Sequence, residues 1–294
     1  MISDNTLGSR IFNGFNIFFM LCICFLCLIP LWYTLCVSLS DKTAAAGGMV
    51  GLWPVGFNIN AYRAIMKEHA FFNSLWISLQ RVAGGTVISV VTTVLLAYPL
   101  SKSKKDLPGR NVFMWLLVFC MLFNGGLIPW YITMKGLRLT NNIWGLILGG
   151  GVQVFYVILV MNFIKNIPKA IEEAALADGA GPWKTLLAVV LPMSLPVLAT
   201  VTLFTMVNHW NEFFQGLVLM STQDKYPLQT YIQQLVVVMT TSNITKEQAE
   251  KMGQLSNQTL NSAKIFIAMV PVLVIYPFLQ RYFITGITLG AVKE

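Results

Sequence analysis

Residues 167–192 read IPKAIEEAALADGAGPWKTLLAVVLP, and this stretch separates two long apolar runs. Pro168 suits the start of a helix, where a backbone N–H is not needed. Glu172 and Glu173 near that N-terminus complement the helix dipole, and Gly179 can end the helix. Three residues keep one face of the helix slim: Ala174, Ala175 and Ala177. The stretch therefore predicts a short exposed helix that fits a groove on another protein.

The apolar runs on both sides of this stretch belong to a chain with the composition of a membrane protein. Of its 294 residues, 56% are hydrophobic and 11% are charged, whereas roughly a quarter of the residues in soluble domains are charged. A spanning helix needs about 20 consecutive apolar residues. Six runs meet that length: 15–37, 73–100, 112–134, 143–164, 193–220 and 264–283. The sequence thus predicts an all-α integral membrane protein with six transmembrane helices.

The segments between these runs define the rest of the organisation. They are a cytoplasmic N-terminus 1–14, an extracellular loop 38–72, and a core 73–294 that includes a long loop 165–192, an external loop 221–263 and a tail 284–294. Dense Lys and Arg near span ends mark the cytoplasmic side. Four such residues crowd the loop between the second and third runs: Lys102, Lys104, Lys105 and Arg110. We therefore expect this loop, the 165–192 loop and both termini to be cytoplasmic.

Several function classes are disfavoured by the pattern of residues. The net charge is +8, but no basic stripe with interleaved aromatic residues accompanies it, as nucleic-acid binding would require. Cys24 and Cys27 have the spacing of half a metal site, yet no second Cys or His cluster completes it. No nucleophile, base and metal ligands converge in the sequence. We expect no catalytic residue, no metal and no nucleic acid, with lipid around the spans.

Charged side chains inside predicted spans are functional candidates, because hydrocarbon makes them costly. They are Arg81 in the second run and Glu212 in the fifth, and an ion pair between them is a hypothesis that a charge swap can test. Three further candidates precede Glu212: Asn208, Trp210 and Asn211. An aromatic ring beside amides suits a sugar, which offers both C–H faces and hydroxyl groups. These four residues of the fifth run form the predicted substrate path, unless their hydrogen bonds only hold helices together.

The spacing within residues 167–192 resembles the EAA loop in membrane subunits of bacterial binding-protein-dependent ABC importers: Glu173-Ala174-Ala175, three residues, Gly179, nine residues, then Val189 and Leu191-Pro192. In that family the loop forms a coupling helix, which sits in a cleft of the cytoplasmic ATPase and transmits its opening and closing. The resemblance implies the type I importer permease fold. It assigns ATPase coupling to eight residues: Glu172, Glu173, Ala174, Ala175, Asp178, Gly179, Leu191 and Pro192. The alternative is an amphipathic helix at the membrane interface.

The resemblance covers most of the chain. Five segments are similar to the carbohydrate-importer branch: Asn73-Ser74-Leu75, Ala97-Tyr98-Pro99-Leu100-Ser101, Gly125-Gly126-Leu127-Ile128-Pro129, Trp210-Asn211 and Tyr226-Pro227-Leu228-Gln229. The ending from Tyr276 to Lys293 is similar to the subgroup that imports complex oligosaccharides delivered by lipoprotein receptors. By the same resemblance, Gly290 and Lys293 in the tail reach the ATPase dimer interface, where the alternative is a frayed terminus.

The resemblance implies ATP-driven import of a sugar, specifically a complex oligosaccharide, across the bacterial cytoplasmic membrane by alternating access. The implied partners are a second permease in a heterodimer, two copies of a cytoplasmic ABC ATPase and an extracellular substrate-binding lipoprotein. The sequence has no G-x-x-x-x-G-K-[ST] loop, so we expect ATP and Mg on the ATPase, and no cofactor or enzymatic activity on this chain. Two alternatives stay open: an ABC permease for a non-sugar solute, and a self-sufficient secondary transporter, which would need internal repeats and ion ligands.

Overall fold

A computed structural model describes residues 6–240 and 258–291, and within these residues the regular structure is helical, with no strand. The chain divides into two compact units. The first unit holds the described residues of 1–68 and 234–270, and the second holds those of 69–233 and 271–291. The predicted all-α class is confirmed.

The first unit begins with α1 (Leu7–Ser38), followed by α2 (Lys42–Ala46) and α3 (Asn60–Ile65). Thr6 caps α1 and Asp41 caps α2 through side-chain oxygens that accept backbone N–H groups. The end of α1 packs against α2 in a small apolar cluster: Cys36, Val37, Ala44, Ala45 and Val50. The predicted extracellular loop 38–72 therefore contains two short helices.

The second unit is built around one long helix, α4 (His69–Ser101). The helices that follow are α5 (Arg110–Leu122), α6 (Leu127–Gly136), α7 (Ile143–Leu148), α8 (Val154–Lys165), α9 (Lys169–Ala177), α10 (Pro182–Thr185), α11 (Leu191–Met193), α12 (Leu195–Asn211) and α13 (Phe214–Leu219). The main core lies where α4, α8 and α12 meet, with Ala97, Val157, Val160 and Val201 fully buried there. Between membrane helices such aliphatic groups stabilise association through close van der Waals packing.

Two further helices contribute to both units. They are α14 (Leu228–Thr240) and α15 (Gln258–Ala291), the latter with Pro271 and Pro277 inside it. Residues 241–257 of the predicted external loop lie outside the described residues. The last helix starts six residues before the predicted sixth run and extends its backbone into the predicted tail 284–294.

Among the described residues, three helices are long and apolar enough to cross a membrane unbroken: Gly8–Ser38, His69–Ser101 and Gln258–Pro277. Three further helix pairs pass the same test only together, because each is bent: α5 with α6 by 115°, α8 with α9 by 75°, and the Pro182–Met193 helix with α12 by 80°. Counting each bent pair as one crossing gives six. The α5–α6 bend lies within the predicted span 112–134, and the bend at Ser194 lies at the start of the predicted span 193–220, whereas the α8–α9 bend lies in the predicted loop 165–192.

The breaks have local causes. Between α5 and α6, Gly126 has a φ of 85°, and the Asn124 side chain accepts its N–H at 2.9 Å. The predicted span 143–164 is interrupted between α7 and α8 by a run of three glycines that ends at Gly151, whose φ is 59°. The predicted loop 165–192, in contrast, is largely helical, since α9, α10, a π-helical turn Leu186–Val190 and α11 fill it. Hydropathy alone cannot register such breaks, because the interrupting residues are small and the surrounding run stays apolar.

Candidate functional site

Arg81 lies in the first half of α4 with only 1% of its side chain exposed. Its Nη1 donates to the backbone carbonyl of Glu212 at 2.8 Å. Its Nη2 lies 3.5 Å from Glu212 Oε2 and donates to Gln215 Oε1 at 2.5 Å. The hypothesised pair of Arg81 and Glu212 is therefore present in the structure, and Gln215 is a third member that the sequence analysis missed.

Glu212 stands at the break between α12 and α13. Its Oε1 accepts the backbone N–H groups of Phe214 at 2.6 Å and Gln215 at 3.2 Å, the first two residues of α13. A carboxylate at this place satisfies unpaired N–H groups and complements the helix dipole. Because Arg81 binds the Glu212 carbonyl that follows α12, the two side chains together satisfy groups on both sides of the break.

A cavity of about 410 Å³ adjoins this network, and we name it the central cavity. Its volume falls within the usual range for small-molecule sites. Besides Arg81 and Glu212, its lining includes Gln153, Tyr156, Asn208, His209, Asn211 and Gln215. The wall is rich in amide and hydroxyl groups, which both donate and accept hydrogen bonds. Such a surface is suited to a polyhydroxylated solute.

An aromatic ring is part of this wall, but it is not the one that the sequence predicts. Trp210 is 6% exposed and does not line the central cavity. Tyr156 of α8 lines it instead, and its hydroxyl accepts a hydrogen bond from Asn208 Nδ2 at 2.9 Å. The Tyr156 ring stacks on Phe204, with the two ring centroids 6.2 Å apart. The tyrosine is thereby held in a fixed orientation with its hydroxyl at the cavity.

Three of the four predicted path residues thus line the central cavity, namely Asn208, Asn211 and Glu212. The rest of the wall comes from α4, the α7–α8 connection, α8, α13 and two further residues of α12, Thr205 and His209, none of which is among the predicted path residues. One signal was available: Arg81 and Ser89 lie eight residues apart on α4, a helical spacing that puts both on one face, and both line the cavity.

His209 is packed against Gly85 of α4. A Cβ placed on Gly85 would lie 2.5 Å from two atoms of the imidazole ring. The histidine is 8% exposed, so the ring has little space into which it can move. Glycine is therefore required at position 85 for α4 to approach α12 this closely.

The second group of predicted residues lies at α9. This helix ends with two backbone hydrogen bonds, from Gly179 N to Leu176 O at 3.0 Å and from Ala180 N to Ala175 O at 2.9 Å. Gly179 has a φ of 75°, and Ala180 is buried. This is a Schellman ending, in which the left-handed position strongly favours glycine. The role of Gly179 as the end of the helix is set by backbone geometry.

Most of the surface of α9 is open. Glu173, Ala174 and Asp178 are exposed, as are Leu176 at 59% and Trp183 just beyond the helix at 66%. A Cβ built on Gly179 meets no atom within 4 Å. Leu191 and Pro192 lie apart from this surface in α11, where Leu191 packs against the main core. The predicted coupling residues therefore form an exposed helix with its supporting segment behind it.

Lys102, next to the end of α4, forms an ion pair with Glu172 of α9. The lysine ammonium also lies 4.4 Å from the centre of the Tyr98 ring. In the same loop, hydrogen bonds from the hydroxyl and the amide of Ser103 lower the pKa of Asp106. From the sequence, Lys102 is predicted only as part of the basic loop, and its link between α9 and α4 is a finding of the structure.

Of the two predicted tail contacts, Gly290 belongs to the backbone of α15, and Lys293 lies outside the described residues. Within the described residues, no three His, Cys, Asp or Glu side chains are grouped as metal binding would need.

An exposed short helix attached to a helical bundle with a polar central cavity defines a membrane subunit of a transport system. Residues 4–289 match the model of the family "binding-protein-dependent transport system inner membrane component", and the chain belongs to this family. It is accordingly a multi-pass permease subunit of the inner membrane, and ATP hydrolysis is the work of a separate chain.

Two relatives from Bacillus subtilis are similar over nearly their whole length. The chain is 35% identical over 288 residues to YtcP, a polygalacturonan/rhamnogalacturonan transport system permease protein, which covers 97% of this chain and 99% of the relative. It is 33% identical over 291 residues to the protein LplC, covering 98% of this chain and 97% of the relative.

Solved structures agree with this assignment. A chain from a bacterial ABC transporter involved in the import of the acidic polysaccharide alginate has a TM-score of 0.84 and 33% identity, covering 95% of this chain and 98% of the other. A chain from an alginate transporter solved with a pentasaccharide-bound periplasmic protein has a TM-score of 0.59 at 16% identity, which shows the fold alone.

Proposed function

We propose that this chain is one of two permease subunits of an ATP-driven importer for a complex oligosaccharide. The observation that carries the proposal is the combination of an exposed α9 and a polar central cavity in one unit, connected by α4. The similarity to YtcP, a permease for polygalacturonan and rhamnogalacturonan, supports a sugar as the solute. The amide-rich lining with Tyr156 supports it independently, because sugars need both hydrogen bonds and a ring contact.

In this proposal α9 faces the cytoplasm, as do both termini. From Arg81 to Lys102 the α4 helix rises about 30 Å at 1.5 Å per residue, which equals the hydrocarbon thickness of a bilayer. Lys102 is tied to α9, so Arg81 and the network around it belong near the opposite membrane face. The dense basic loop at 101–111 supports the cytoplasmic placement of the α9 end.

Coupling would run from α9 to the cavity. Closure of two ATPase subunits, which hold ATP and Mg, displaces α9. The contact surface consists of the residues along α9 and at its end: Glu172, Glu173, Ala174, Ala175, Asp178 and Gly179. The Lys102–Glu172 pair passes this movement to α4, and Leu191 passes it to the main core. Because Arg81 on α4 binds Glu212 beyond α12, a movement of α4 acts on the wall of the central cavity. A second, different permease would supply the other half of the path, and an extracellular lipoprotein would deliver the solute.

An affinity pull-down of the tagged chain from solubilised native membranes tests this function. We expect a second permease, an ATPase and a sugar-binding lipoprotein to co-purify. Glu173→Lys and Gly179→Asp each introduce an unfavourable charge change on the exposed surface, so at least a tenfold loss of the ATPase is expected with unchanged membrane insertion.

Gly179→Ala is the matched control. Its left-handed backbone cost of about 1–2 kcal/mol is at least as large as that of aspartate, but its methyl group meets no atom within 4 Å and carries no charge. It should retain most of the ATPase. Recovery of the chain alone would contradict the proposed coupling role of α9. So would variants that leave the recovered partners unchanged. Loss of insertion in all Gly179 variants would instead make that glycine structural.

A further inference from the structure

A second cavity of about 540 Å³ lies beside the first turns of α4, and we name it the outer cavity. Ile77 and Gln80 of α4 form one side of it, and Arg138 and residues 140–143 form another. Leu146 of α7, together with Met220 and Lys225 after α13, completes it. Gln80 precedes Arg81, so consecutive residues of α4 line the outer and the central cavity. In the orientation proposed above, the outer cavity is near the extracellular face.

The outer cavity contains two cationic side chains and, among its described lining residues, no acidic one. Lys225 donates from Nζ to the carbonyl of Asn141 at 3.1 Å, a neutral partner that leaves its charge uncompensated. Arg138 is exposed, and it has no ion-pair partner among the described residues. Asp224 precedes Lys225 in sequence, but its side chain is not part of the lining. The cavity is therefore electropositive.

Hydrogen bonds hold the backbone of the turn that carries Arg138. Arg138 has a φ of 58°, which is unfavourable for its side chain, and Asn141 has a φ of 57°, which asparagine adopts more readily than most residues. Asn141 is held by three contacts: its N–H donates to Leu219 O at 2.7 Å, its Oδ1 accepts from Ser221 N at 3.5 Å, and its carbonyl binds Lys225. Strained positions persist only where the surroundings over-determine them, and they concentrate at ligand sites. Arg138 is thus presented from a fixed backbone.

The central cavity is electrostatically different. Its cation, Arg81, is paired with Glu212 and bound to Gln215. A carboxylate that enters there meets a charge that is already neutralised, whereas a carboxylate in the outer cavity meets two that are not. We therefore expect the outer cavity, and not the central cavity, to discriminate between acidic and neutral solutes.

We propose that the outer cavity binds the carboxylate of an acidic sugar residue, so that the importer selects oligosaccharides that contain uronic acids. Arg138 and Lys225 supply the charge, while Gln80 and Asn142 can hydrogen-bond hydroxyl groups and Ile77 offers an apolar face. This proposal rests on the proposed function, and it assigns the class of oligosaccharide. The concave form and mixed lining favour a sugar over an acidic surface of a receptor or a lipid phosphate, since those need only the two charges.

The test compares trigalacturonate with its fully methyl-esterified form, in which each carboxylate is replaced by an uncharged methyl ester on the same sugar backbone. Initial uptake of each is measured in cells that express the complete importer with this chain as wild type or variant. Arg138→Asn removes the charge with a residue that tolerates positive φ, and Lys225→Gln removes the other while keeping a donor. Each should lower the ratio of acidic to esterified uptake about tenfold, the usual effect of losing one charge-assisted hydrogen bond.

Arg138→Lys keeps the charge and should keep most of the ratio. Lys135→Gln is the matched control. This exposed lysine lies at the end of α6 and outside the cavity lining, so the substitution removes one positive charge without changing the cavity. If Arg138→Asn lowers the uptake of both trisaccharides equally, Arg138 acts in receptor docking and the proposal is overturned. Equal uptake of the two trisaccharides by the wild type would overturn it as well. In either case the proposed function stands. Absence of chain-dependent uptake of any oligosaccharide would defeat the proposed function and this inference with it.

Discussion

The exposed face of α9 and the central cavity both carry predicted functional residues, but the chain supports them in opposite ways. The α9 surface is exposed and organised by bonds between close neighbours, such as Ala180 N to Ala175 O. The cavity network is enclosed, and its members are far apart in sequence, since Arg81 binds partners 131 and 134 residues away.

This difference separates stability from function. A side chain on the bare face of α9 contributes little to the free energy of folding, so substitutions there should act on partner binding and transport. Side chains of the cavity network satisfy each other out of water, so their loss leaves charges and helix ends unpaired. Substitutions in the network should therefore lower stability before they change solute selectivity.

The largest effect is expected from Glu212→Ala. Arg81 would lose its counter-ion inside the unit, and α13 would lose the acceptor at its N-terminus. Breaking a buried pair from one side costs about 3–5 kcal/mol, and we expect the lower end because Glu212 is 25% exposed. The free energy of unfolding in detergent micelles, measured by denaturant titration, checks this.

A double-mutant cycle sharpens the result. Arg81→Ala combined with Glu212→Ala should lose clearly less than the sum of the two single losses, because the second substitution removes a partner that is already unpaired. Gln80→Ala, an exposed neighbour on α4, should change stability by less than about 0.5 kcal/mol. Additive losses in the cycle would mean that the two charges do not interact.

A smaller effect is expected from Gly85→Ala. The added methyl group overlaps the buried ring of His209, and such overpacking costs about 1–3 kcal/mol. Gly84→Ala is the matched control, because its methyl group would meet only the end of the Ile147 side chain, at 3.0 Å. The same titration should place the first variant well below the second. If His209→Ala does not relieve the loss in Gly85→Ala, the ring contact is not its cause.

The sequence predicts the exposed helix well because its determinants are local. Pro168 before the helix, two glutamates and a glycine at the end are read within a dozen residues, and the structure has α9 at Lys169–Ala177. The helical class and the candidate charges Arg81 and Glu212 are predictable for a similar reason, since each departs visibly from its apolar surroundings.

The central cavity is difficult to predict from the sequence, because it depends on helix breaks and on contacts between segments that are distant in the chain. Hydropathy treats residues 193–220 as one run, but the break at Glu212 turns Gln215 towards Arg81. Nothing local to Tyr156 indicates that it, rather than Trp210, supplies the aromatic wall. That choice is made by the packing of α8 against α4 and α12.

The smallest effect on stability, and the most informative on coupling, is expected at the Lys102–Glu172 pair. Both side chains are about one quarter exposed, so either Lys102→Glu or Glu172→Lys should cost less than about 1 kcal/mol. Each should nevertheless reduce solute-stimulated ATP hydrolysis in proteoliposomes, because the two side chains then carry like charges and their repulsion weakens the contact between α9 and α4.

The combined charge swap distinguishes an ionic link from other contacts of the same lysine. If the ion pair transmits the movement, the double variant restores stimulation of ATP hydrolysis, while Lys104→Glu in the same loop leaves it unchanged because that lysine is exposed and outside the pair. If the swap fails to restore stimulation, the contact of Lys102 with the Tyr98 ring becomes the better account, since a glutamate cannot replace a cation over an aromatic face. Either result tells whether the exposed helix acts on the cavity through charge or through packing at the end of α4.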